Sequence, residues 1–185
     1  MSEAPRRFGR LPGDPPKEEM IARMIRVNQA GEYGAKRIYA GQIAVLGGGA
    51  DGPVLRKMAA IEEEHLAHFD ALLVARHVRP TALQPLWHAA GFALGLGTAL
   101  LGREAAMACT VAVEEVIEEH YANQAAMLAD DDAELKTAIE EFRLHEIDHR
   151  DTALAEGAKG APGYPVLRAA IKAGSRLAIW LSERI

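Results

Sequence analysis

Cysteine is almost missing from this chain. Cys109 stands alone among 185 residues, so no intrachain disulfide can form and a reducing compartment is the easier setting. Aromatic residues are scarce at 5%, so a core must be built from the abundant Ala and Leu, a composition that favours packed helices. No segment alternates apolar and polar residues with the period of a strand, which speaks against a sheet. Basic charge is not in excess: the net charge of −5 gives no support to nucleic-acid binding. An apolar signal-peptide core is also lacking; residues 1–16 carry Arg6, Arg7 and Arg10 amid Pro and Gly and read as a flexible basic leader. One stretch lacks formal charge altogether, residues 80–102.

What is present punctuates helices clearly. Asp14-Pro15-Pro16 opens a first helix that Gly47-Gly48-Gly49 stops after about Leu46. Asp51-Gly52-Pro53 opens a second, ending before Pro80. After the uncharged stretch a helix is expected over about 103–129, and Asp130-Asp131-Asp132 provides a turn and an acidic cap for the next, which ends near Gly157. A last helix follows Pro165 and runs to about Ile185. The expectation is an all-α fold over residues 17–185, as one domain.

Within these helices one pattern occurs twice. Glu32 is followed by Glu62 and His65, and Glu114 by Glu146 and His149. Residues three apart share a helix face, so each Glu-x-x-His points an oxygen and a nitrogen donor into one space. Two such helices and two helices offering a single Glu compose the donor set of a carboxylate-bridged dinuclear metal site in a four-helix bundle. Depth agrees: at ~1.5 Å per residue, Glu32 lies roughly 21 Å below the first turn, and Glu62 and His65 roughly 14–18 Å below it. Glu114 lies about 22 Å below the second turn, and Glu146 and His149 about 21–26 Å. Four buried carboxylates without partners would protonate, whereas two divalent cations balance them with both imidazoles neutral. Mixed carboxylate and imidazole donors suit iron or manganese better than a thiolate-seeking ion.

His145-Glu146-Ile147-Asp148-His149 also spells H-E-x-x-H, the zinc-peptidase motif in which both His bind zinc. The first half, Ile61-Glu62-Glu63-Glu64-His65, has no leading His, so the duplicated unit is Glu-x-x-His and His145 is expected outside the ligand set.

Longer runs carry a resemblance. Arg26-Val27-Asn28-Gln29-Ala30-Gly31-Glu32-Tyr33-Gly34-Ala35, then Arg37-Ile38-Tyr39-Ala40-Gly41-Gln42, are similar to the demethoxyubiquinone hydroxylase family. So are Arg79-Pro80-Thr81, Pro85-Leu86-Trp87, Gly91-Phe92-Ala93-Leu94-Gly95, Gly97-Thr98-Ala99-Leu100-Leu101-Gly102, Ala108-Cys109-Thr110-Val111-Ala112-Val113-Glu114-Glu115 and Leu181-Ser182-Glu183-Arg184. The resemblance implies a ferritin-like bundle holding two iron ions per chain, which uses dioxygen as co-substrate to hydroxylate a polyprenyl benzoquinol late in ubiquinone biosynthesis. It carries the ligands onto Glu32, Glu62, His65, Glu114, Glu146 and His149, makes Glu62 and Glu146 the bridges, and selects Glu114 over Glu115. It also draws attention to Tyr121 and His120 as catalytic residues: Tyr121, seven residues after Glu114, shares its face and could relay a proton or electron. Tyr39 stands in the same relation to Glu32. Core packing with one satisfied hydroxyl is the plainer role for both tyrosines. The chain departs from many relatives at Asn28-Gln29, where they have Asp-His, and at His145, where they have an acidic residue; neither departure is expected to touch a ligand. The electron donor is not implied, and a homo-oligomer or another ubiquinone-biosynthesis protein is compatible as partner.

The uncharged stretch 80–102 is long enough to span a bilayer, but one span would part the two halves of the metal site. It is expected instead to be an apolar crossover helix along the bundle, its Gly91, Gly95, Gly97 and Gly102 allowing close backbone approach. Arg168, Lys172 and Arg176 form a basic stripe on an additional C-terminal amphipathic helix, which suits either a lipid headgroup boundary or packing on the bundle. A peripheral protein at the cytoplasmic face of the cell inner membrane, or on the matrix side of a mitochondrial inner membrane, would meet a quinone there. Iron storage or peroxide scavenging would use the same six ligands but needs neither the apolar crossover nor the basic helix.

Overall fold

A computed structural model describes residues 15–128 and 132–185. The described residues are all-α: α1 (Lys17–Leu46), α2 (Gly52–Ala75), α3 (Gln84–Leu100), α4 (Arg103–Leu128), α5 (Ala133–Ala155) and α6 (Tyr164–Ser182), with one 3-10 turn at Ala158–Gly160. The basic leader expected over residues 1–16 lies outside the described residues except for Pro15 and Pro16, as do Asp130 and Asp131. The third aspartate of that turn acts as expected: Asp132 caps α5 by accepting from the Leu135 amide at 3.2 Å.

α1 packs against α2, and α4 against α5, so the bundle is two hairpins, while α3 crosses over α1 and touches α4. Asp51 does not cap α2 with its side chain; its Oδ1 instead accepts from Arg103 Nε at 2.9 Å, pinning the start of α4 to the first turn. One apolar layer contains Ile21 and Ile25 of α1, Phe69 of α2, Leu128 of α4, and Leu135 and Ile139 of α5. A second contains Tyr39, Leu55, Met58, Met107, Val111 and Ala153. Along each of the four helices the buried Glu lies between these layers, so the polar cluster is sealed at both ends by apolar side chains. Fully burying one such side chain contributes about 1.5–3 kcal/mol, which sets the scale on which the layers oppose the cost of the carboxylates.

α3 follows the bundle as a crossover, and no described helix is long and apolar enough to cross a membrane. Its glycines divide by role. A Cβ on Gly95 would strike the Ile38 carbonyl and one on Gly91 would lie 2.9 Å from the Gly34 carbonyl, while α1 answers with Gly41 beneath the Phe92 carbonyl. Two backbones therefore meet with no side chain between them. Gly97 corrects the expectation, because nothing lies within 4 Å of its Cβ position; Gly102 serves a turn with φ 118°.

α6 resolves the choice left open for the basic stripe. Arg168 and Lys172 reach Glu115 of α4 at 2.5 and 2.8 Å, and Arg176 reaches Glu119 at 2.9 Å. The stripe faces the bundle. The outward surface of α6 is apolar instead, with Val166 75%, Leu177 57% and Trp180 51% exposed.

Candidate metal centre and family

The six donors read from the doubled motif converge. Glu32, Glu62, His65 and Glu146 place one ligand atom each within 4.8 Å of one another, and Glu62, Glu114, Glu146 and His149 do the same. Glu62 and Glu146 belong to both groups, which is the arrangement two adjacent cations need when two carboxylates bridge them. All six side chains are fully buried. Both imidazoles turn Nδ1 inward: His65 Nδ1 lies 3.5 Å from Glu32 and 3.3 Å from Glu146, and His149 Nδ1 lies 2.9 Å from Glu62.

No Lys or Arg is paired with this cluster among the described residues, and its electrostatics show the strain. Burial and then the charge of the other carboxylates push Glu62 and Glu146 well above the usual carboxyl range. Burial lifts Glu114 to about 7, against the hydrogen bond that Tyr39 donates. For Glu32 burial is outweighed by the nearness of His65 and by the Tyr121 hydroxyl, so its pKa falls below the ordinary value. Burial lowers His149 to about 4, so it is a neutral imidazole with a free electron pair, as a metal ligand must be. These atoms face one another without bonding: Glu32 Oε2, Glu114 Oε2, both oxygens of Glu62 and Glu146, and Nδ1 of both histidines lack a hydrogen-bond partner among the described residues. Buried acceptors left open in one place fit a pair of divalent cations by number, charge and donor type.

Two tyrosines tie the halves together. Tyr121 Oη donates to Glu32, and Tyr39 Oη donates to Glu114 at 2.9 Å. Each lies seven residues beyond one outer Glu yet holds the outer Glu of the other half. Burial, then the charge of the glutamate it serves, keeps each phenol well above its ordinary pKa. His120 is not part of the cluster; its Nε2 lies 2.8 Å from Gln124 Nε2, and Gln124 exchanges two hydrogen bonds with Asn28 at 2.8 and 2.9 Å. Asn28-Gln29 thus link helices: Gln29 donates to Asp70 of α2 at 2.9 Å.

His145 departs from expectation. It joins neither candidate group, yet its Nδ1 lies 2.9 Å from Nε2 of His65, and the two rings are parallel within 3° with centroids 5.2 Å apart, edge to edge along that contact. The position expected to leave the candidate ligands untouched therefore meets one of them, His65, directly. Phe142 stacks on His65 at 4.0 Å, a contact the sequence reasoning passed over although Phe142 lies one helical turn before Glu146. The geometry gives the H-E-x-x-H reading no support, since His145 meets His65 and joins no candidate donor group with His149 among the described residues.

Residues 19–182 match the family model of the Ubiquinone biosynthesis protein COQ7. The chain belongs to that family. It is 59% identical over 177 residues to the 3-demethoxyubiquinol 3-hydroxylase of Rhodospirillum rubrum, covering 95% of this chain and 84% of the relative. It is 55% identical to the human NADPH-dependent 3-demethoxyubiquinone 3-hydroxylase, mitochondrial, covering 89% and 78%. Against the 5-demethoxyubiquinone hydroxylase, mitochondrial, of Saccharomyces cerevisiae identity is 43%, covering 89% and 78%. COQ7-family membership accords with the all-helical fold and with buried carboxylate and imidazole groups able to hold a metal.

Proposed function

We propose that this chain is a di-iron monooxygenase that hydroxylates the ring of a demethoxyubiquinol. The single observation behind this reading is the pair of ligand groups sharing Glu62 and Glu146, in a chain whose family is one of ubiquinone-biosynthesis hydroxylases. Glu32 and His65 would serve one iron, Glu114 and His149 the other, with Glu62 and Glu146 between them. Two iron(II) ions, if held by these residues, would supply the chemistry of dioxygen reduction that a ring hydroxylation needs. In overall balance a ring C–H becomes C–OH, the second oxygen leaves as water, and a reductant provides two electrons. The name of the human relative makes NADPH the first reductant to test.

The protein's own groups do the rest. Tyr121 and Tyr39, protonated and aimed at Glu32 and Glu114, hold the outer carboxylates in place, and Tyr121 can return a proton along its bond to Glu32. The neighbouring His120, which burial lowers to about 4, is neutral and supports α4 through Gln124. The apolar layers above and below exclude water from the ring site. Substrate enters from an apolar cavity of about 350 Å³ between α1, α3, α4 and α6. Gly31 and Val113, the chain neighbours of Glu32 and Glu114, line it. A polyprenyl tail would leave this cavity toward the outward apolar residues of α3, the turn after it and α6, Leu86, Leu100, Leu101, Leu177 and Trp180, which would rest on a lipid surface. The setting would then be the inner face of a bacterial or mitochondrial inner membrane.

The test is metal content with the quinone profile of cells that lack the chromosomal copy and carry a variant. Wild type should bind two irons per chain and clear the demethoxylated quinone; Glu32→Ala and Glu114→Ala should each let it accumulate. Normal quinone with either variant would refute the reading.

A further inference from the structure

We infer that His145 makes the two metal positions unequal, so that the position at Glu32, Glu62, His65 and Glu146 binds a divalent cation more tightly than the position at Glu62, Glu114, Glu146 and His149. The inference rests on the metal-centre reading above and concerns how the two halves differ.

The two ligand groups are near copies: each has one outer Glu, one His, and the same two bridges. Each outer Glu receives one tyrosine hydroxyl. The imidazoles break the symmetry. Both present Nδ1 to the carboxylates, so in a metal-bound histidine the ring proton sits on Nε2, and what that N–H meets decides how firmly the ring is held. Nε2 of His65 lies 2.9 Å from Nδ1 of His145, which can accept it, and Phe142 stacks on the same ring. Nε2 of His149 is buried and has no hydrogen-bond partner among the described residues. The reason is legible in the repeat itself: His145 precedes Glu146 as Ile61 precedes Glu62. The second half offers an imidazole to the first half's ligand; the corresponding residue of the first half is aliphatic and has no polar group to offer. His145 is thus a positioning residue. It fixes the tautomer and ring plane of His65 and adds to the basicity of its Nδ1, while His149 binds a cation only by leaving a buried N–H open.

The experiment is an anaerobic titration of the metal-free full chain with Co2+, followed by visible absorption and with stoichiometry measured independently. Wild type should fill in two steps whose affinities differ by about 10–100-fold, the effect of a single outer partner of a histidine ligand. His145→Ile, which copies Ile61, should merge them into one weak class. His145→Asn, whose side-chain oxygen can take the place of Nδ1, should keep the tight step with its own absorption spectrum. Two equal sites in wild type would overturn the inference, as would a His145→Ile protein that keeps both steps, or a folded His145→Asn protein that loses the tight one. Failure of wild type to bind Co2+ at all would instead remove the metal-centre reading beneath it.

Discussion

Removing the metal and raising the pH from 6.5 to 8 should destabilise this protein. Glu62 and Glu146 are fully buried beside other carboxylates, and both are held well above the usual carboxyl range. In the metal-free fold the cluster therefore keeps protons that the unfolded chain, with ordinary glutamates of pKa 4.5, has already lost. A group with a raised folded pKa makes its stabilising contribution below that pKa and loses it as the pH rises through it. The histidines act oppositely: burial lowers His120 and His149 to about 4, so stability grows with pH through their ordinary value of 6.5, and that effect is spent only about one unit above it. From there upward the raised carboxyls set the slope, and across the whole interval the fall outweighs the rise.

Each proton that the folded cluster still holds and the unfolded chain has lost lowers stability by about 1.4 kcal/mol per pH unit. The Tm of the metal-free form should therefore fall between pH 6.5 and 8, by about 2–4 °C for each kcal/mol lost in a chain of this size. Thermal unfolding of the metal-free and iron-loaded forms, under anaerobic conditions, checks it. The loaded form should show no such fall, because the cations have displaced the protons and their binding strengthens as pH rises. A metal-free Tm that is flat or rising over pH 6.5–8 would refute the idea that the cluster is a set of buried carboxylates awaiting cations.

Three further outcomes follow from the packing. Gly95→Ala should cost about 1–3 kcal/mol in urea unfolding, since its Cβ meets the Ile38 carbonyl, whereas Gly97→Ala, opening onto free space, should stabilise by about 0.5–1 kcal/mol. Tyr39→Phe and Tyr121→Phe should each weaken metal retention against a chelator by about tenfold, because each removes the hydroxyl that orients an outer glutamate; unchanged retention would deny the tyrosines a holding role. Glu115→Ala, which strips Arg168 and Lys172 of their partner, should cost about 1 kcal/mol and speed hydrogen exchange in α6 selectively.

The donors were legible because a helix turns short-range spacing into geometry. Glu62 with His65 and Glu146 with His149 share a face by spacing alone, and counting residues from two turns put all six at one height. The tyrosines show where such reasoning stops. Their position seven residues beyond Glu32 and Glu114 marks the inward face, but the exchange of partners between halves depends on how α1 and α4 approach each other, and local spacing carries nothing about that. The basic stripe of α6 was visible as residues four apart, and its destination had a signal that went unused: Glu115 and Glu119 are also four apart on α4. Charge complementarity between two helices of equal period predicts that they pack together, and they do. Gly95 and Gly97 are chemically identical and opposite in role, because two positions turn a helical residue by about 200°.

His145 marks the deeper limit. Comparing the halves leaves it outside the ligand set, since its counterpart Ile61 cannot bind a metal, and it joins neither candidate group. The same comparison held a second conclusion. Wherever a duplicated site differs between copies, the difference cannot be required for assembling the donors, because the other copy assembles without it; it can only make the copies unequal. Ile61 against His145 is such a difference, and it falls one residue before the bridging carboxylates. The structure places His145 against the one imidazole it can influence, and leaves the other imidazole without an equivalent. A reaction that consumes dioxygen at two metals while one ring carbon is oxidised has a use for inequality, because the two metals then need not lose ligands or meet substrate together. On the reading proposed above, the doubled pattern would hold a pair of metals, and the difference between Ile61 and His145 is where that pair would become directional.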